Sequence, residues 1–150
     1  MRIVTLAQLV ALLEADAVPH RVHPDRKLIE LPVERGPLKT TMALVWHRGS
    51  VAQYVVSLPL RVPDGRADAA HEALVRLNHA AVFPGLGLDH ANGTVYYRLA
   101  APMPEEGLEV AMVRGLFGRA TALAADLYAR LRPVLEEGAE PSSVVPTAPS

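Results

Sequence analysis

The sequence predicts an α+β protein with element order α-β-β-β-α-β-β-α: an antiparallel five-stranded sheet packed with helices. Three observations predict it. Five short runs alternate apolar and polar residues with a period of two. Three longer segments repeat their apolar residues at helical spacing. Glycine-bearing connectors join most strands as hairpins, which makes the sheet antiparallel. The 150 residues are 50% hydrophobic, enough for one core of ordinary size.

The first helix opens at Thr5, a good N-cap, with Gln8 three residues on in the capping-box arrangement. Val4 and Leu9 sit at the positions of a hydrophobic staple, and Leu6, Leu9, Val10, Leu13 and Ala17 form one apolar stripe. Pro19 and Pro24 end it, since proline disfavours helix in the residue before it.

Three strands follow. In 26–33, Ile29, Leu31 and Val33 share one face, with Arg26, Leu28 and Glu30 on the other. In 40–47, Met42, Leu44 and Trp46 share a face. Arg48-Gly49-Ser50 suits a hairpin into 51–60, where Tyr54, Val56, Leu58 and Leu60 lie together and Val51 and Val55 lie opposite. A strand apolar on both sides belongs in the middle of a sheet.

Pro63-Asp64-Gly65 is a turn, and a helix over 66–80 buries Ala70, Ala73, Leu74 and Leu77. Pro84, Gly85 and Gly87 break the chain again. Runs 86–90 and 94–99 flank Ala91-Asn92-Gly93, a strong hairpin signal, with Val95, Tyr97 and Leu99 on the core face. The last helix is expected over 105–137, with Glu105-Glu106 at its positive end and a stripe running from Val113 to Leu131. Gly115 and Gly118 weaken it and mark close packing or a looser first turn, or room for a ligand in a ligand-binding alternative. Residues 1–137 are expected to form one domain. Residues 138–150, with three prolines and three serines, are expected to be a disordered tail.

Composition excludes several chemistries. There is no cysteine, hence no disulfide, thiolate metal site or thiol nucleophile. A net charge of −1 offers no general attraction for nucleic acid or an anionic membrane. Gln8, Glu14 and Asp16 interrupt the early apolar run, so a cytoplasmic location is the expectation. Six histidines are the best candidates for a reactive or metal site. His20 and His23 fall in a basic loop, His71 and His79 lie two turns apart on one helix, and Asp89-His90 borders a turn. None has metal-ligand spacing. Ser50 and Ser57 lack the nucleophile elbow, and Gly85-Leu86-Gly87 lacks the third glycine of a dinucleotide loop. No catalytic residue, cofactor or metal is expected.

Leu74-Val75-Arg76-Leu77-Asn78-His79, Gly87-Leu88-Asp89 and Asn92-Gly93-Thr94-Val95-Tyr96-Tyr97-Arg98-Leu99 resemble the YbjN-like proteins. The resemblance spans about 5–137. It implies a fold similar to the class I type III secretion chaperones, a homodimer, and Asn78 as a helix C-terminal cap. Secretion chaperones are usually acidic, and this chain is nearly neutral.

The expected function is therefore a non-enzymatic, chaperone-like or regulatory protein-binding module acting as a homodimer. Apolar side chains on both sheet faces exceed what three helices can cover, and uncovered apolar surface meets another chain. Trp46 and Tyr54 are the residues expected to touch a partner protein or peptide. The alternatives are a small-molecule-binding sensory domain, with its ligand between sheet and last helix, and an enzyme built on His20, His23 or His90.

Overall fold

In a computed structural model of the chain, residues 1–145 are described. The elements are β1 (Arg2–Ile3), α1 (Leu6–Ala15), β2 (Arg21–His23), β3 (Leu28–Arg35), β4 (Leu38–His47), β5 (Val51–Arg61), α2 (Ala67–Ala80), β6 (Leu86–Asp89), β7 (Thr94–Pro102), β8 (Leu108–Glu109) and α3 (Val110–Glu136). One sheet has six antiparallel strands in the order β2-β3-β4-β5-β7-β6, and β1 and β8 form a separate two-stranded ribbon.

The alternation in the sequence sets the register. Across the sheet, Ile29, Leu44, Tyr54 and Leu99 stand in one row, and Leu31, Met42, Val56 and Tyr97 in the next. All eight are buried in one core cluster. β5 is the spine of that core. The Tyr54 hydroxyl donates to the Val113 carbonyl at 3.1 Å, which fixes the start of α3 over the middle of the sheet. From there Val113, Ala120, Ala124, Leu127 and Leu131 bury one side of α3. α2 packs beside it through Ala70, Ala73, Leu74 and Leu77.

α1 begins as its sequence predicts. Gln8 N–H donates to Thr5 Oγ1 at 3.2 Å, and Thr5 N–H to Gln8 Oε1 at 3.0 Å, a reciprocal capping box. Leu9, Leu12 and Leu13 join the core beside Leu44 and Tyr54. At the far end of α1, Arg114 grips Asp16 with two bonds of 2.9 and 2.7 Å. All three helices thus lie on the same side of the sheet.

Four expectations are corrected. The main sheet has a sixth strand, β2, whose three residues are too few and too polar to show alternation. α3 starts at Val110 and not at Glu105, because Leu108 and Glu109 are drawn into the ribbon with Ile3 and Arg2. Glu105 instead pairs with Arg48 at 3.3 Å. Gly115 and Gly118 face open space, so they serve neither close packing nor a cavity. In the expected tail, Pro141–Val144 is a 3-10 turn with Pro141 and Val144 buried. Residues 146–150 lie outside the described part.

Two measurements follow from this core. Tyr54→Phe removes one buried hydrogen bond and is expected to lose about 1 kcal/mol in urea unfolding, whereas Tyr54→Ala also leaves a cavity and loses about 3–5 kcal/mol. The Arg114 hydrogen bond, aided by its charge, holds the Asp16 carboxyl below its ordinary value. A lowered carboxylate contributes stability above its unfolded pKa and loses it as pH falls through the folded one. Between about pH 5 and about pH 2 the melting temperature of Asp16→Asn is therefore expected to drop less than that of the wild type.

Candidate interaction surface

The side of the sheet away from the helices is bare. By register, Leu28, Val45, Gln53 and Ala100 form one row across it, and Glu30, Ala43, Val55 and Arg98 the next. Ala43, Val45, Gln53 and Val55 are half-buried, and Ala100 and Arg98 are exposed. Leu28 is buried yet stands outside the main core cluster. The centre of this face is largely aliphatic around Gln53, with Glu30 flanked by Arg21 and His23 of β2 on one side and Arg98 on the other. Such an apolar centre with a charged rim is the usual anatomy of a protein interface.

Other exposed apolar side chains lie on α2 and the loop after it. Val75 is 67% exposed, Val82 86% and Phe83 40%. The loop holding Val82 and Phe83 is tightly fastened. Asn78 Oδ1 accepts from Gly85 N–H at 3.2 Å and Leu86 N–H at 3.0 Å, and its Nδ2 donates to the Leu86 carbonyl at 3.0 Å. The Tyr97 hydroxyl donates to the Phe83 carbonyl at 3.0 Å, and burial pushes its pKa up. Arg119 lies over the Phe83 ring, 4.9 Å from its centre. Gly85 is required at its place, since a Cβ there would strike the Arg98 carbonyl. Two apolar side chains are thus held in water by a rigid support.

Asn78 is not a helix cap. It sits inside α2 and pins the start of β6. The β6–β7 hairpin is present, but its loop is the four residues 90–93, closed by a Gly93 N–H to Asp89 carbonyl bond of 2.8 Å. Only Gly93 takes a positive φ there, +65°.

The residues expected to touch a partner do not reach the surface. Trp46 is 4% exposed and Tyr54 0%. Trp46 donates through Nε1 to the Val4 carbonyl at 3.1 Å. Both fall on the helix side of their strands, where their large apolar area is buried. The exposed pair Val82-Phe83 left a modest signal: two apolar residues directly before a Pro-Gly break.

The histidines scatter. His20 Nδ1 lies 2.9 Å from the Val18 carbonyl, and His23 Nε2 3.3 Å from Glu30 Oε1. His71 meets His90, not His79, with ring centres 5.1 Å apart. Among the described residues no three histidine, aspartate or glutamate side chains gather as metal ligands. No described helix is long and apolar enough to cross a membrane.

No family model matches the chain. No curated protein matches it. Among solved structures, it is similar to a chain of the heterodimeric ExoU–SpcU complex from the type III secretion system of Pseudomonas aeruginosa. Identity is 19%, the TM-score is 0.52, and the match covers 85% of this chain and 97% of the other. At that identity the likeness is one of fold.

Removing the Asn78 amide strands two N–H groups and a carbonyl. Asn78→Ala is therefore expected to destabilise the chain by about 1–3 kcal/mol and to speed hydrogen exchange at Gly85 and Leu86, read by mass spectrometry. The mixed α+β architecture, three helices on an antiparallel sheet, matches the type III secretion chaperone fold.

Proposed function

We propose that this chain is a non-enzymatic, chaperone-like protein-binding module that works as a homodimer, of the YbjN-like kind. The observation that carries the proposal is the bare sheet face. A monomer leaves Val45, Val55 and their aliphatic neighbours facing water, while all three helices crowd the opposite side. Uncovered apolar surface of this shape supports association with another chain.

Charge supports a second copy as its cover. Glu30 and Arg98 lie in the same cross-sheet row on opposite sides, with Arg21 of β2 beyond Glu30. Stacking two sheets face to face about a two-fold axis parallel to the strands sets Glu30 of each copy over Arg98 of the other. A two-fold interface must complement itself, and the Glu30–Arg98 pairing supports this. The outer edge of β3 stays unpaired beyond Glu30, because β2 spans only Arg21–His23. That edge suits a partner's extended segment, which can add as a strand. The fold match to a chain of a two-protein complex supports the same reading.

The sensory alternative finds less support. The space between α1, α3 and the sheet measures about 80 Å³, whereas ligand pockets run to roughly 300–1,000 Å³.

Light scattering after size exclusion tests the proposal. The wild type is expected at twice the chain mass. Val55→Lys places a charge at the centre of the face without touching the core, so it is expected to fold with an unchanged circular dichroism spectrum and to run as a monomer. A wild type that is monomeric at all concentrations, or a variant that still dimerises, would refute the homodimer.

A further inference from the structure

Beyond α3 the chain turns back and lies across α2 and α3. Arg66 Nη2 donates to the Val134 carbonyl at 2.9 Å and the Ala139 carbonyl at 2.8 Å, tying the turn to the base of α2. Pro141 and Val144 then sink between the two helices, and Arg130 Nη1 donates to the Val144 carbonyl at 3.2 Å. The segment is thus held by two side-chain anchors three residues apart and by arginines that grip main-chain carbonyls.

The channel does not stop at Val145. It opens into an apolar cavity of about 340 Å³ between Leu77 and Ala80 of α2, Val82 and Phe83 of the loop, and Leu123 and Leu127 of α3. Val145, Arg130 and Asp126 also line this cavity, so it adjoins the seated segment along the same helix pair, and among the described residues this second half of the groove is open. Near the filled half, Arg66 Nε is buried without a hydrogen-bond partner among the described residues.

We propose that this α2–α3 channel docks an extended segment of a partner protein carrying proline- and valine-sized anchors, and that Pro141–Val145 is a built-in stand-in for it. The seated segment shows what the groove accepts: small, branched or cyclic side chains at positions i and i+3, with carbonyls offered to arginine. Arginine contacts to main-chain carbonyls accept any sequence, so the apolar anchors choose. The open half is large enough for two or three further side chains of that size. A partner segment fills the open half and displaces the stand-in from the other. Because the stand-in is tethered, its effective concentration is in the millimolar range, so it weakens any segment that competes with it.

This rests on the reading of the chain as a protein-binding module and adds a docking place separate from the bare sheet face. The probe is a fluorescent peptide with the sequence of residues 139–145 followed by a second Pro-Ser-Ser-Val unit, titrated by polarisation into the full chain. Val144→Asp expels the stand-in and is expected to bind the probe at least about tenfold more tightly than the wild type. Adding Ala80→Trp fills the open half from an exposed position and is expected to abolish that gain. Should Val144→Asp fail to fold, Val144→Ala loosens the same anchor without a charge and is expected to strengthen binding in the same direction. Equal affinity for wild type and released variant, no binding to either, or indifference to Ala80→Trp would overturn the proposal. So would a cross-link placing residues 146–150, or Val82 of a second copy, in the open half. Ala80→Trp does not touch the sheet face, so dimerisation by light scattering reports on that reading independently.

Discussion

The long helix α3 lies along the inner face of β5, and its placement decides the rest of the molecule. Tyr54 anchors the contact at one end, where its hydroxyl meets the Val113 carbonyl while its ring fills the space beneath α1. A buried tyrosine that found no partner would leave its hydroxyl unsatisfied in an apolar setting, so only a narrow range of helix positions is compatible with this side chain. With α3 set there, α2 has one flank left on which to bury Ala70, Ala73, Leu74 and Leu77. α1 takes the other flank, and the Asp16–Arg114 pair fastens its end. A central strand, one helix and one hydroxyl thus determine that every helix falls on the same side.

One-sidedness has an energetic consequence. The residues of β4 and β5 that point away from the helices are mixed: Ala43, Val45, Val51 and Val55 are apolar and share the face with Lys39, Thr41, His47, Gln53 and Ser57. Burying a valine contributes about 1.5–3 kcal/mol, and these half-buried side chains gain only part of it in a monomer. The half-roofed sheet therefore keeps some apolar area in contact with water.

The sheet was largely legible in the sequence because its signal is local. Ile29, Leu31 and Val33 alternate with polar residues, as do Met42, Leu44 and Trp46, and each alternation names its core face without knowledge of the partner strand. The capping box of Thr5 and Gln8 is equally local. What escaped reading is decided at a distance. β2 exists because β3 offers an edge to Arg21–His23, not because those residues favour a strand. The start of α3 is set by a ribbon with the first residues of the chain, more than a hundred positions away. Burial of Val144 depends on a channel between two helices that no single segment encodes. The burial of Trp46 and Tyr54, expected to touch a partner, escaped reading for a related reason: aromatic rings favour interfaces and cores alike, and alternation places a residue on a face without saying which face the helices roof.

Val82 and Phe83 make the opposite case, since their exposure is built and not accidental. A loop that merely tolerated two apolar residues in water would be free to fold them away. Here three hydrogen bonds from Asn78, one from Tyr97 and the Arg119 guanidinium hold the loop outward, and Gly85 permits the close backbone approach on which it depends. The rigidity has a thermodynamic meaning. Immobilising a side chain on association costs about 0.5–1.5 kcal/mol, and a loop already fixed in place has met part of that cost during folding. The same two residues wall the open half of the α2–α3 channel, while the loop's other side meets Tyr96, Arg98 and Ala100 at the border of the bare sheet face. The loop therefore stands between the α2–α3 channel and the bare sheet face.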